Sequence, residues 1–196
     1  MKIGVDLDDV LSKTTAAYIK FHNDTYGTNL KIEDKQKYGW WELFGETREE
    51  YEKIVNKFYT THYFTEAKPI EEAIDVLKNI KGDDKLYVIT ARGENIKEIT
   101  EKWIEKNFPG IFSKIYYTNQ FEVGGKKTTK AAICNVLDVD VFIDDGLDFA
   151  LDCASPNREV LLLNYPWNQT KKLPAGITRV YSWGEIGKII DNLHKK

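Results

Sequence analysis

The sequence predicts an α/β fold built on a parallel, doubly wound sheet of about five strands with helices on both faces. Three observations predict it. Short apolar runs recur at Ile3-Gly4-Val5, Leu86 to Ile89, Ile115 to Tyr117, Val141 to Ile143 and Val160 to Leu163. Such runs read as strands buried on both faces. Between them, apolar residues step by three and four, the period of a helix. Polar residues close three of the runs: Asp6-Leu7-Asp8-Asp9, Thr90 and Asp144-Asp145. Strands alternating with helices imply parallel pairing, and right-handed crossovers bring every strand-to-helix turn to one edge. Ligands of such sheets bind along that edge.

The elements follow in order. Met1 to Val5 starts the sheet. Ser12 and Thr14 offer caps for a helix whose Tyr18, Phe21, His22 and Tyr26 share a face, closed by Gly27. Thr28 to Lys37 is polar and has no clear period. An aromatic stretch follows, Tyr38-Gly39-Trp40-Trp41 and Leu43-Phe44. Thr47 and Glu50 have the spacing of a capping box for a helix presenting Tyr51, Ile54, Val55 and Phe58. Residues 14–66 thus read as helical, an insertion between the first two strands. Pro69 restarts the chain with a helix bearing Ala73, Ile74, Leu77 and Ile80. The second strand leads to a helix with Ile96, Ile99, Trp103 and Ile104 inward, and the third strand follows Pro109-Gly110. Thr128 or Thr129 caps the helix before the fourth strand. Asp148 to Cys153 is a short helix, and Ser182 and Glu185 open the last one.

Composition bounds the function. With 196 residues the chain can bury a full core. A net charge of −3 argues against a nucleic-acid polymer or a membrane surface as partner. Its 2 cysteines imply no disulfide framework, and Cys134 reads as core. Met1-Lys2 runs straight into a strand, so no signal peptide is expected, and no run has the length of a membrane span. The expected compartment is the cytoplasm.

The acidic strand end carries the chemistry. Like charges about 4 Å apart repel by roughly 4 kcal/mol at an effective dielectric near 20. Three carboxylates in four positions therefore need a cation, a proton or splaying into water. A capping Asp at a strand-to-helix turn is the bland alternative, but it does not account for acidic or hydroxyl residues at three separate strand ends.

With those residues in place, the chain resembles the haloacid dehalogenase (HAD) superfamily of phosphatases. The motifs that carry the resemblance are Asp6-Leu7-Asp8, Val88-Ile89-Thr90, a lysine ahead of the last acidic strand, and Ile143-Asp144-Asp145, in that order along the whole chain. More narrowly it is similar to the 5′(3′)-deoxyribonucleotidase branch. That likeness rests on the helical insert, the Phe64 to Leu77 entry into the core, and Tyr165-Pro166-Trp167-Asn168. Many relatives have Gly where this chain has Asp9, which is expected to be a solvated charge.

The resemblance implies a phosphomonoesterase with a catalytic core of residues 1–13 and 67–196 and a helical cap of residues 14–66. Asp6 is the implied nucleophile, forming an aspartyl-phosphate, and Asp8 the implied general acid-base. Thr90 and the backbone at Ala91 and Arg92 would hold the phosphate; Arg92 could equally pair on the surface. Lys130 is the preferred phosphate lysine over Lys127 and Lys126. Mg²⁺ is the implied cofactor, held by Asp6, the Asp8 carbonyl and one of Asp144 and Asp145, with Asp145 preferred. Asp144, with Asp148, would support it. His22, His62 and His194 are scattered and expected to be surface or packing residues.

Trp40, Trp41, Phe44 and Phe64 are the implied substrate-facing cap residues. Aromatic faces stack on bases, which suits a nucleoside monophosphate, although the same residues could simply be the core of the cap. The alternatives are a phosphatase for another small metabolite such as a sugar phosphate, or a silent nucleotide-binding module. A homodimer through the aromatic cap stays open.

Overall fold

The computed structural model describes residues 1–37, 47–80, 82–120 and 127–195. Its centre is a six-stranded parallel sheet: β1 (Lys2–Val5), β2 (Lys85–Thr90), β3 (Lys114–Tyr117), β4 (Val141–Asp144), β5 (Glu159–Leu163) and β6 (Ile177–Val180), in the order β3-β2-β1-β4-β5-β6. The sixth strand adds to the five expected. It was hidden because Ile-Thr-Arg-Val is a short edge strand with buried ends and a polar middle, lacking the continuous apolar run of the others.

The order reverses between β1 and β4, so chain connections leave these two strands in opposite directions. That is the switch point where such sheets open a crevice. Ile3, Gly4 and Val5 align with Val141, Phe142 and Ile143, and the Asp6 amide extends the pairing to the Ile143 carbonyl at 2.9 Å. This register carries Asp6 to a position beside Asp144. Gly4 is required by close approach: a Cβ there would lie 2.9 Å from Ile89 Cδ1 and 3.0 Å from Phe142 Cδ2.

Apolar residues fill both faces. Val5, Val88, Val141, Ile143, Leu161, Trp103 and Trp183 belong to one cluster. Ile89, Phe142, Val160, Leu162, Cys134 and Cys153 belong to the other. Cys134 is core, as expected, and both cysteines are free thiols.

Between β1 and β2 the chain forms α1 (Thr14–Tyr26), a 3-10 turn (Ile32–Asp34), α2 (Arg48–Tyr59), α3 (His62–Thr65) and α4 (Glu71–Lys78). Among the described residues of 14–66 there is no strand. Tyr18, Phe21, Phe58 and Phe64 pack together as a separate aromatic cluster. The Thr47–Glu50 capping box is present on both sides. The expected cap of α1 is not: Lys13 occupies the cap position without a side-chain bond, because the Thr14 hydroxyl is directed to Asp8.

Beyond β2 lie α5 (Lys97–Asn107), α6 (Lys130–Leu137), α7 (Leu147–Cys153) and α8 (Trp183–Leu193). Thr129 caps α6, accepting from the Ala132 amide at 3.0 Å. Ser182 caps α8, but Glu185 returns its bond to the Tyr181 amide, one residue earlier than a capping box requires. No helix among the described residues is long and apolar enough to cross a membrane.

Candidate active site

The strand ends gather a buried set of charges at the switch point. Lys130, the first residue of α6, is 1% exposed despite its charge. Its Nζ lies 2.9 Å from Asp6 Oδ1 and 2.7 Å from Asp144 Oδ2. Capping by Thr129 fixes where α6 begins, and the Thr128 amide bonds the Thr118 carbonyl beyond β3. The helix start thus aims the lysine at both carboxylates. Lys127 is exposed, and Lys126 lies outside the described residues.

Asp144 also accepts the Gly146 amide at 2.8 Å. Asp145 is held from β5: Trp167 Nε1 donates to its Oδ2 at 2.7 Å, and Asn168 Nδ2 donates to its carbonyl at 2.8 Å. Its other oxygen, Oδ1, is buried without a hydrogen-bond partner among the described residues. Asp148 is exposed and stands apart from this group.

Asp6, Asp144 and Asp145 each offer a carboxylate oxygen, and these lie within 4.8 Å of one another. Burial pushes the Asp6 carboxyl up to about 8 against the pull of Lys130, with Asp144 and Asp8 adding to the rise. Burial also raises Asp144, and it raises Asp145 well above the ordinary value, helped by the charges of Asp144, Asp9 and Asp6. Lys130 is raised as well, which for a lysine favours the charged form, because Asp144 and Asp6 outweigh the cost of burying it. One lysine does not compensate three buried carboxylates. The set could hold a metal ion, and all-oxygen donors of this kind suit a hard divalent cation.

Asp8 faces a different partner. Arg92 grips it with two bonds, Nε to Oδ2 at 3.0 Å and Nη2 to Oδ1 at 2.7 Å, and the Thr14 hydroxyl donates to Oδ1 at 2.6 Å. Desolvation works against the charge, but Arg92 and Thr14 hold the Asp8 carboxyl below the ordinary carboxylate range. Arg92 is therefore no surface residue. It is buried, bonds Thr100 Oγ1 at 3.0 Å, and its guanidinium lies 4.6 Å from the centre of the Phe64 ring. Thr90 is fully buried, and its hydroxyl accepts the Arg92 amide at 3.2 Å. Ala91 is buried beside it.

Asp9 departs from the sequence expectation. It is buried, not solvated, and takes both the amide and the hydroxyl of Thr15. Its φ of +58° is left-handed, a conformation glycine adopts without cost and Asp tolerates. That explains why the motif commonly has glycine there. The charge acting on that carboxylate is Lys35, which the sequence reading missed. Lys35 is 6% exposed, donates to Thr15 Oγ1 at 3.1 Å, and sits 3.9 Å from the Trp167 ring centre. Burial pulls on both partners, raising Asp9 and lowering Lys35. Nothing local distinguished Lys35 from Lys31 or Lys37, since all three lie in one polar stretch.

Phe64 is buried in the aromatic cluster and, among the described residues, reaches the site through Arg92. Trp40, Trp41 and Phe44 lie outside the described residues. His22 is buried and bonds Thr28, His62 is exposed, and His194 pairs with Asp84, so none joins the site.

Comparison with known proteins places this arrangement. The family model described as 5′ nucleotidase, deoxy (pyrimidine), cytosolic type C protein matches residues 1–196. The nucleotidase CA_C3379 of Clostridium acetobutylicum is 27% identical over 198 residues, covering 100% of this chain and 96% of its own. Among solved structures, the haloacid dehalogenase-like family hydrolase SP0104 from Streptococcus pneumoniae superposes with a TM-score of 0.69 at 14% identity, covering 96% of this chain and 97% of its own. The L-2-haloacid dehalogenase from Xanthobacter autotrophicus, solved with chloropropionic acid covalently bound, gives 0.65 at 10% identity, covering 98% of each chain.

Proposed function

The chain belongs to the 5′ nucleotidase, deoxy (pyrimidine), cytosolic type C family, hydrolases of the haloacid dehalogenase fold, and from that premise we propose a Mg²⁺-dependent phosphomonoesterase acting on nucleoside monophosphates in the cytoplasm. The observation that carries the reading is Lys130, buried between Asp6 and Asp144 at the switch point of the sheet.

Asp6 is the nucleophile. Its carboxylate oxygen bonds to phosphorus while the bond from phosphorus to the nucleoside oxygen breaks, giving an aspartyl-phosphate and an alkoxide. Asp8 delivers a proton to that alkoxide. Water then attacks the phosphorus, Asp8 takes its proton, and inorganic phosphate leaves with Asp6 regenerated. Such proton transfer contributes roughly a hundred- to ten-thousand-fold. Held by Arg92 and Thr14, Asp8 is ionised and fit for the second step. To act as an acid in the first step it must take up a proton from solvent, which requires it to give up Arg92 as the substrate enters.

Asp6, the Asp8 carbonyl and Asp145 would hold Mg²⁺, with Asp144 in support; when bound it offsets charge on the phosphoryl oxygens. The fit is one of charge. With all five carboxylates ionised, Asp6, Asp8, Asp9, Asp144 and Asp145 against Lys130, Arg92 and Lys35 leave a balance of −2, and burial opposes that charge until a divalent cation cancels it. The unpartnered Asp145 Oδ1 is a ready donor atom. Lys130 orients Asp6 and favours its ionised form against the pull of burial. Thr90 and the Ala91 and Arg92 backbone hold the phosphate. Residues 14–66 form the cap, where Trp40, Trp41 and Phe44 select the base, and Phe64 supports Arg92 from within the aromatic cluster.

The test is phosphate release from deoxy- and ribonucleoside monophosphates, sugar phosphates and an aryl phosphate, with Mg²⁺ and with EDTA. Release should require Mg²⁺ and concentrate on nucleotides, and Asp6→Asn should abolish it. Turnover retained by Asp6→Asn would overturn the nucleophile, and an equal rate on all substrates would overturn the nucleotide.

A further inference from the structure

The Tyr165-Pro166-Trp167-Asn168 turn and the buried Lys35 have no part in the steps above, yet Trp167 donates to Asp145 and the charge of Lys35, lying over the same indole, acts on it. We propose that they are positioning residues that set metal affinity in opposite directions. Trp167 orients Asp145 for the ion, and Lys35, carried by the segment inserted after β1, opposes it. This rests on the reading that Asp145 is a metal ligand.

The indole is the stronger case. Its Nε1 can only donate, so the 2.7 Å bond to Asp145 Oδ2 fixes that oxygen as the acceptor. The remaining oxygen, Oδ1, is the one without a hydrogen-bond partner among the described residues. A carboxylate with one oxygen tied to a donor presents one defined free lobe, as a metal ligand needs. The donor is itself rigidly held. Asn168 is fully buried and donates to the carbonyls of Asp145 and Leu163 at 2.8 and 2.6 Å. Arg179 grips the Asn168 Oδ1 at 2.6 Å from the neighbouring strand β6. The Tyr165 ring stacks on the indole at 4.4 Å with 9° between the planes. The strand missed in the sequence thus braces the donor to Asp145.

Lys35 approaches the same indole from a different element. Its ammonium is 3.9 Å from the ring centre, close enough for a cation–π contact. Its charge acts on Asp9 first, then on Asp145 and Asp8. A fixed cation at that place favours the ionised carboxylates and repels an entering cation. Metal affinity is thereby tied to where the inserted segment sits.

The experiment is calorimetric titration of the full chain with MgCl₂ alone, without substrate, so that binding is read apart from turnover. Trp167→Phe keeps the ring and removes the donor; it should weaken Mg²⁺ by about 10- to 100-fold. Trp167→His, which retains a ring N–H, should recover part of that loss. Lys35→Met should tighten Mg²⁺ severalfold, and Lys35→Arg should stay near the unaltered protein. Damage to the fold would weaken both Trp167→Phe and Lys35→Met, so opposite signs are the signature. If the unaltered protein takes up no Mg²⁺, the metal reading itself fails. If it binds and Trp167→Phe binds as well, the orienting role is wrong. Weaker binding by Lys35→Met overturns the opposing role.

Discussion

Removing Lys130 should expose how the site is stabilised. Its ammonium is 1% exposed and lies 2.7 Å from Asp144 and 2.9 Å from Asp6, so Lys130→Met leaves two buried carboxylates facing each other with no cation between them. Breaking a buried ion pair from one side costs about 3–5 kcal/mol, because the partner charge stays buried and uncompensated. Methionine nearly matches lysine in length and can keep the contact with Phe149, whose ring centre is 4.1 Å from Nζ. Packing therefore contributes little to the expected loss. Asp144→Asn retains an acceptor for the Gly146 amide and removes one of the charges. Adding it to Lys130→Met should recover part of the loss, with a coupling of roughly 1–3 kcal/mol. The assay is urea unfolding of the four proteins in EDTA at pH 7.5, followed by two probes to check two-state behaviour. Additive losses, or a Lys130→Met protein as stable as the parent, would refute the argument that uncompensated charge governs the site.

Two further outcomes concern the scaffold. Gly4→Ala should cost about 1–3 kcal/mol by overpacking, because the new Cβ lies 2.9 Å from Ile89 Cδ1 and 3.0 Å from Phe142 Cδ2, both in fully buried side chains; an unchanged urea midpoint would show that the strands can part. At the opposite end of the sheet, Asp84 binds the Met1 ammonium and lies 2.8 Å from His194 Nε2. Burial opposes its charge, but these partners hold its carboxyl below the ordinary value. A depressed folded value means stability that is present above the unfolded value, near 3.9, and lost as pH falls through the folded one. Asp84→Asn should cost about 1.5–3 kcal/mol at pH 6, and the gap from the parent should close below pH 4. A gap constant from pH 6 to pH 3 in thermal unfolding would remove charge as its cause.

Much of the fold was legible because fully buried strands announce themselves. Val88-Ile89 and Val141-Phe142-Ile143 are apolar at every position, and a parallel sheet covered on both faces leaves few other readings. β6 was not legible, since an edge strand half in contact with water carries a weaker pattern. Asp6, Asp8, Thr90 and Asp144-Asp145 were legible because each interrupts an apolar run at its carboxyl end. Asp9 was misjudged as solvated, because a charge in a turn normally is. Its burial depends on Thr15 and Lys35, and Lys35 stands 26 positions away in a stretch without local pattern.

The sequence by itself determined which chemistry was available and on which edge of the sheet it would lie. Strand composition and crossover handedness are local or near-local properties, and they allow few arrangements. Only the tertiary structure decided the partners. Lys130 rather than Lys127 reaches the carboxylates because the cap at Thr129 fixes the start of α6. Arg92 grips Asp8 because the ends of β1 and β2 lie side by side. Trp167 reaches Asp145 because the turn after β5 is braced by Arg179 on β6. Each partnership depends on angles between distant elements, set by packing of the whole core and carried by no short stretch of chain.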